Sequence, residues 1–113
     1  MKFNIRNLPN KNGVTYPIYD IITKSGFTLS ILSLGASIQK IAFSDRGGQE
    51  VSIALGFPAA DPYEKQVCYA GATLGPNAGR IRDARLPVWG ACYSLSRNEH
   101  LHQLHGGIGN LSA

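Results

Sequence analysis

The chain has 113 residues, of which 43% are hydrophobic and 16% are charged. This length suits one domain, and the composition excludes a disordered tail because it supplies enough apolar side chains to bury a core. The formal net charge is +4, and the densest basic cluster is Arg80, Arg82 and Arg85. Asp83 lies inside that cluster and no aromatic residues interleave with it, so we expect no nucleic-acid partner.

The N-terminal residues MKFNIRNLPNK lack the apolar stretch of a secretory signal, and no apolar run is long enough to cross a bilayer. Cys68 and Cys92 have apolar neighbours and no CxxC spacing. This pattern favours free, buried thiols in a reducing compartment, with one disulfide as the alternative. We therefore expect a cytoplasmic protein with no membrane partner.

Thirteen Gly and six Pro predict many turns and short strands in place of long helices. Strands are predicted over residues 3–8, 14–23, 27–34, 36–43 and 51–55. The first of these would be an edge strand. Pro17 lies inside the second and argues for an edge position or a bulge, because proline donates no hydrogen bond to a neighbouring strand. The segment SDRGGQ at residues 44–49 is typical of a hairpin loop.

In the second half of the chain, residues 58–66 show no clear period and predict a loop or a single helical turn. Residues 67–74 predict a strand, and residues 75–79 predict a tight connection. Residues 86–95 alternate loosely and predict a further sheet-like passage. The whole pattern indicates an all-β, antiparallel fold with the turn spacing of a sandwich.

Two Gly-rich stretches, YAGATLGPNAGRI at residues 69–81 and HLHQLHGG at residues 100–107, each carry a side chain suited to a polar ligand. Arg80 offers five N–H donors in a fixed fork. His105 can donate or accept one hydrogen bond when neutral. Gly106 and Gly107, which follow it, would let the backbone approach a ligand closely.

The three histidines form the pattern H-x-H-x-x-H through His100, His102 and His105. This spacing permits a Zn²⁺ or Ni²⁺ site, although Glu99 is the only carboxylate nearby in the sequence. We expect no metal, but a metal-binding interaction module stays open as an alternative. The spaced glycines fit neither a P-loop nor a dinucleotide-binding fingerprint.

The two Gly-rich stretches resemble the aldose 1-epimerase (galactose mutarotase) family, which has G-A-T-I-G-R-x-A-N-R-I and, further on, N-x-L-H-G-G. The matching residues are Gly71, Ala72, Thr73, Leu74, Gly75, Ala78, Arg80, Ile81, Leu104, His105, Gly106 and Gly107. Residues 32–57 resemble a further segment of the family. The resemblance implies an antiparallel β-sandwich of the galactose mutarotase-like supersandwich type. Residues 1–113 would then be the truncated, N-terminal part of a single domain.

The resemblance also implies a function: interconversion of the α and β anomers of free hexoses such as glucose and galactose, without a cofactor. In the family, a histidine acid and a glutamate base follow the L-H-G-G motif at a distance, so no catalytic residue is expected within this chain, and the chain alone should be inactive. The matching positions make Arg80 and His105 substrate-binding residues. Gly79 stands where the family has asparagine, and Asn77 is the candidate that replaces it.

The expected partner is a small-molecule sugar, an aldohexose. The rival hypothesis is a non-catalytic, sugar-binding or regulatory β-domain, which would keep Arg80 and His105 as binding residues. The sequence leaves open the preferred sugar, whether it is phosphorylated, and the oligomeric state.

Overall fold

The computed structural model describes residues 1–112 and consists mainly of short antiparallel strands. Every strand pairing in it is antiparallel, which confirms the predicted all-β class. The chain forms two compact units, one from residues 1–73 with Ser112 and one from residues 74–111. The description of residues 1–113 as one part of a single domain stays a prediction.

The first unit is a five-stranded meander in which the strands pair in sequence order. Its strands are β1 (Lys2–Pro9), β2 (Thr15–Ile22), β3 (Thr28–Leu32), β4 (Ser37–Ser44) and β5 (Glu50–Ser52), and a helical turn, α1, spans Asp61–Glu64. The edge position predicted for the first strand is confirmed, and α1 lies in the segment that predicted a loop or a single helical turn.

The hairpin loop between β4 and β5 forms as its sequence predicts. The carboxylate of Asp45 accepts hydrogen bonds from the backbone N–H groups of Gly47 and Gln49, at 2.8 and 2.9 Å. The backbone N–H of Asp45 donates to the carbonyl of Gln49 at 2.8 Å and closes the loop. A short acidic side chain that satisfies its own turn in this way is the reason why aspartate begins such loops.

Strand β2 is central in the sheet, so the edge position suggested for it by Pro17 is wrong. Pro17 lies opposite Asn7 of β1, one residue before the register of β2 with β3 begins at Ile18. Its carbonyl accepts a hydrogen bond from Ser33 N–H at 2.8 Å, which places the proline nitrogen on the β3 side. The missing donor therefore falls at the end of the β2–β3 pairing and removes no bond between β1 and β2.

The core of the first unit lies against one face of the meander. Its buried members are Leu8, Ile18, Leu32, Ala60 and Tyr63. Tyr63 also holds the chain next to it, because its hydroxyl accepts a hydrogen bond from Phe57 N–H at 2.9 Å and the two rings stack edge to face.

The opposite face of the meander is apolar and open. Paired positions across the strands place on it Phe3, Ile5, Tyr19, Ile21, Leu29, Ile31, Ile41, Phe43 and Val51. We call this set the apolar sheet face. Phe3 and Ile5 are 68% and 70% exposed, whereas Thr28 and Ser30, on the other face of β3, are buried.

The strand predicted over residues 67–74 is wrong. Val67–Tyr69 form a 3-10 turn, and Gln66, Cys68 and Tyr69 have φ near +50°, a region that no strand residue adopts. Cys68 and Cys92 are exposed free thiols, so the prediction that they are buried is also wrong. Apolar neighbours in the sequence did not decide the burial of either cysteine.

The second unit has two separate strand pairs. Its strands are β6 (Arg80–Ile81), β7 (Arg85–Val88), β8 (Ala91–Ser94) and β9 (Gln103–Leu104), with β6 paired to β9 and β7 paired to β8. The passage over residues 86–95 is thus a hairpin, which turns at Trp89 and Gly90. Both turn residues have positive φ, the conformation that matches the twist of paired strands, and Trp89 is fully exposed.

No helix among residues 1–112 has both the length and the apolar character that a membrane span requires.

We expect the 113-residue chain, produced by itself, to associate through the apolar sheet face, because burying exposed apolar surface contributes about 25 cal/mol per Å². Sedimentation velocity should therefore show oligomers. Ile5→Ser should shift the distribution towards monomer. Ile108→Ser is the matched control, since Ile108 is 75% exposed but lies outside the sheet. A compact monomer with a sharp, cooperative melt would contradict this prediction.

Candidate functional site

The two Gly-rich stretches meet where β6 pairs with β9. Arg80 lies opposite Leu104 and Ile81 opposite Gln103. Just beyond this pair, the N–H of His105 donates to the carbonyl of Gly79 at 3.0 Å. The N–H of Gly79 donates in return to Nδ1 of His105 at 3.1 Å, across 26 positions of sequence. The structure therefore brings Arg80 and His105 to the same end of one strand pair.

The hydrogen bond from Gly79 determines the chemistry of the His105 ring. Because Nδ1 is an acceptor, the neutral imidazole carries its proton on Nε2. His105 is half-buried and has φ near +51°, so its backbone is held in the left-handed region while Gly79 binds both its N–H and its ring. The site thus presents a histidine of defined tautomer.

Gly106 and Gly107 are required by the packing of the protein itself. A Cβ on Gly106 would lie 2.1 Å from the carbonyl oxygen of Gly75, and one on Gly107 would lie 2.1 Å from Oγ of Ser96. Both residues also have positive φ. The side of each glycine that lacks a side chain faces protein atoms, so packing alone explains both glycines. The expectation that they let a ligand approach the backbone stays a prediction.

Arg80 is exposed and is paired with Glu99. Its Nε and Nη2 donate to the two carboxylate oxygens, the Nη2 bond being 2.6 Å long. These hydrogen bonds hold the pKa of the Glu99 carboxyl below its usual value and raise the pKa of Arg80 above its own. Glu99 therefore stays ionised and fixes the direction of the guanidinium fork.

Asn77 lies in the connection before β6 and is partly buried. Its Nδ2 is buried and has no hydrogen-bond partner within residues 1–112. The residue lines a cleft of about 510 Å³ together with Ile81, Ser96, Gln103 and others. A buried amide donor without a partner is a group that a polar ligand or water would satisfy.

The three candidate binding residues do not share one cleft. Arg80 lines a second opening, of about 330 Å³, with Arg82 and His102, and we call it the basic cleft. The pairing of β6 with β9 explains why these residues line different clefts. Ile81 and Gln103 face the Asn77 cleft, whereas Arg80 precedes Ile81 and points to the other side of the pair.

The histidines do not converge on a metal. Nδ1 of His102 accepts a hydrogen bond from Asp83 N–H at 3.0 Å, and Nδ1 of His105 accepts one from Gly79. Among residues 1–112, no group of three or more His, Cys, Asp or Glu side chains could hold a metal ion. The metal-binding alternative has no cluster to support it in the described part of the chain.

Comparison with known proteins identifies the family. The profile of the family described as aldose 1-epimerase matches residues 17–112. The chain belongs to the aldose 1-epimerase family. The resemblance found in the two Gly-rich stretches is thereby confirmed.

Curated relatives of the family agree with this assignment. The galactose mutarotase of Homo sapiens is 34% identical over 80 residues, which are 71% of this chain and 23% of that protein. The aldose 1-epimerase of Escherichia coli K12 is 29% identical over 98 residues, 85% of this chain and 28% of that protein. The chain spans about a quarter of the length of these relatives.

Solved structures of the family have the same fold over nearly the whole chain. The GalM/aldose epimerase homologue from C. elegans has a TM-score of 0.72 and 30% identity, over 98% of this chain and 30% of that one. Galactose 1-epimerase from Lactobacillus acidophilus has a TM-score of 0.77 at 22% identity, over 99% of this chain and 32% of that one, and shows the fold alone. The mutarotase-like fold class is confirmed.

Sequence reasoning missed the surroundings of Arg80. It assigned no role in a site to Arg82 and did not pair Arg80 with Glu99. The signal that could have revealed the basic cleft is the closeness of Arg80 and Arg82 in the sequence, although Arg82 lies in the 3-10 turn after β6 and not in the strand. The ion pair had no such signal, because Glu99 lies 19 positions away from Arg80.

We expect Arg80→Gln to raise the pKa of Glu99 towards its ordinary value, because the largest cause of its lowering is the hydrogen bonding from Arg80. A carboxyl with a lowered folded pKa stabilises the fold above its unfolded pKa, and that contribution is lost as the pH falls through the folded pKa. Carboxyl ¹³C NMR titration measures the shift. Arg97→Gln is the control and should leave it unchanged, and an unaltered Glu99 titration in Arg80→Gln would contradict the pairing.

Proposed function

We propose that this chain forms part of the sugar-binding site of an aldose 1-epimerase that interconverts the α and β anomers of free hexoses such as glucose and galactose. The family assignment supports the reaction class, and the names of the relatives, galactose mutarotase and aldose 1-epimerase, support the substrate class. The free thiols of Cys68 and Cys92 fit a cytoplasmic setting.

The observation that carries the proposal is the pairing of Gly79 with His105 beside Arg80. It gathers the two polar side chains that match the family's binding motifs at one end of the β6–β9 pair, although they come from distant parts of the sequence. The geometry of the turn also sets which nitrogen of His105 donates. A fixed donor and a guanidinium fork suit a ligand rich in hydroxyl groups.

Mutarotation needs a base that takes the proton from the anomeric hydroxyl and an acid that protonates the ring oxygen. The ring opens, the aldehyde rotates about its bond to C2, and closure yields the other anomer. We assign His105 Nε2–H to a hydrogen bond with the sugar as charge develops on its oxygens. Arg80 would hold adjacent hydroxyls. Asn77, which lines the cleft on the other face of the strand pair, would donate its unpaired Nδ2–H to a polar group there and not to the hydroxyls that Arg80 holds.

The acid and the base are not assigned to this chain. By the family resemblance, a histidine acid and a glutamate base belong to segments that follow L-H-G-G at a distance. Glu99, the carboxylate beside Arg80, is held ionised by that arginine and serves to orient it. In this proposal, residues 1–113 bind and position the sugar.

In the protein that carries this chain together with the acid and base segments, we expect His105→Asn to lower kcat/KM by about ten- to a hundredfold. This is the cost of losing one hydrogen bond of about 1.5–3 kcal/mol to a group that gains charge. Asparagine tolerates the positive φ of this position. Polarimetry of freshly dissolved α-glucose measures the rate.

The matched control is His100→Asn, since His100 also has positive φ and matches no family position. It should keep the parent rate. The melting temperature of both variants separates a structural from a binding role. If the His105 variant stays folded and keeps full turnover, His105 does not belong to the site.

We expect the 113-residue chain alone to leave the mutarotation of α-glucose near the buffer rate. Each positioned acid or base contributes about 10²–10⁴-fold, and the proposal places both outside this chain. Polarimetry with a heat-denatured sample as control tests this. Acceleration that survives repurification, and that Glu99→Gln abolishes, would move the base into the chain.

The second candidate function is a sugar-binding domain without catalysis. The pairing of Glu99 with Arg80 favours this second function, because the Glu99 carboxylate then serves to orient the Arg80 guanidinium. Ligand-detected NMR with galactose separates the two functions when it is combined with polarimetry. Binding that depends on Arg80 and His105, without turnover in the protein that carries the family's acid and base segments, would establish the binding domain.

A further inference from the structure

The basic cleft lies where the chain leaves the β6–β9 pair. Arg80 belongs to β6 and lies opposite Leu104 of β9. Arg82 begins the 3-10 turn that follows β6, and the N–H of the next residue, Asp83, donates to Nδ1 of His102 at 3.0 Å. This bond joins the turn to His102, and Arg80, Arg82 and His102 together line the opening of about 330 Å³.

All three side chains in this cleft present hydrogen-bond donors. The guanidinium groups of Arg80 and Arg82 have no acceptor atom. His102 accepts the backbone N–H of Asp83 through Nδ1, so its neutral ring carries a proton on Nε2. No lining side chain offers an oxygen acceptor. A ligand that supplies only acceptors, such as an oxyanion, complements this lining.

The charge around the cleft is only partly balanced. Glu99 neutralises Arg80 through its paired hydrogen bonds. The side chain of Arg82 is exposed and makes no hydrogen bond or ion pair in the described part of the chain. Asp83 lies near His102, with Oδ1 4.0 Å from Nδ1, which is too long for a hydrogen bond. One guanidinium thus remains unpaired beside two further donors.

Arg80 is part of both the proposed sugar site and the basic cleft. It is a proposed contact for sugar hydroxyls and it also lines the basic cleft with Arg82 and His102. A group bound in the cleft would therefore be next to a sugar held by Arg80. Arg82 lies outside the family motifs, and His102 stands where N-x-L-H-G-G has asparagine.

We infer that the basic cleft binds the anionic group of a sugar ligand, a phosphate or a carboxylate, so that sugar phosphates or sugar acids are preferred over neutral hexoses. The inference rests on the proposed function for the sugar itself, whereas the anion site stands on the geometry of Arg82 and His102. A planar guanidinium and an imidazole N–H together match the oxygens of either anion.

The test measures binding of four probes to the purified protein: inorganic phosphate, galactose, galactose 6-phosphate and galacturonate. ³¹P line broadening follows phosphate, and calorimetry follows the sugars. We expect Arg82→Gln to weaken phosphate and the charged sugars by about five- to tenfold, and to leave galactose unchanged. Arg97→Gln is the control, an exposed arginine of the same unit outside the cleft, and should change nothing. Circular dichroism confirms that each variant is folded.

The outcomes separate the two proposals. The anion site is overturned if galactose 6-phosphate and galacturonate bind no more tightly than galactose, or if Arg82→Gln and Arg97→Gln weaken binding by the same factor. Either result leaves the sugar site intact. Phosphate binding that depends on Arg82, without any galactose binding, retains the anion site and rejects the proposed function. Comparison of galactose 6-phosphate with galacturonate decides which anion is preferred.

Discussion

The reciprocal hydrogen bonds between Gly79 and His105 are the constraint on which the candidate site depends. Strands β6 and β9 have two residues each, and a strand pair of that length is marginal without further bonds. The Gly79 carbonyl and N–H extend the pair through the backbone and the ring of His105. The same two bonds that complete the strand pair also determine the tautomer of the histidine, so the structure of the turn and its chemistry cannot be changed separately.

The two faces of the β6–β9 pair line two different clefts. Ile81 and Gln103 face the cleft that holds the unpaired amide of Asn77, whereas Arg80 faces the cleft that holds Arg82 and His102. A one-residue change of register would exchange these faces. The Gly79–His105 bonds set that register, and in doing so they place neutral hydrogen-bonding groups on one side and cationic donors on the other.

In the first unit, one face of the sheet is covered and the other face is exposed. Strand β3 buries Thr28 and Ser30 and leaves Leu29 and Ile31 only partly covered. The alternation of β3 is visible in the sequence, but alternation alone does not state which side is covered. Coverage comes from α1 and the residues around Tyr63, which pack on the Leu32 side. The result is a meander whose more apolar face remains accessible to another surface.

The sequence by itself determined the antiparallel all-β class, the loop begun by Asp45, and the family, because alternation, turn residues and short motifs are local signals. It also indicated Arg80 and His105. Only the tertiary structure decided that residues 67–71 form turns, that Cys68 is exposed, and that Arg80 pairs with Glu99. These features depend on contacts between residues far apart in the chain, such as the bond of Ile38 N–H to the carbonyl of Gly71, and no local pattern encodes which distant partner a backbone group will meet.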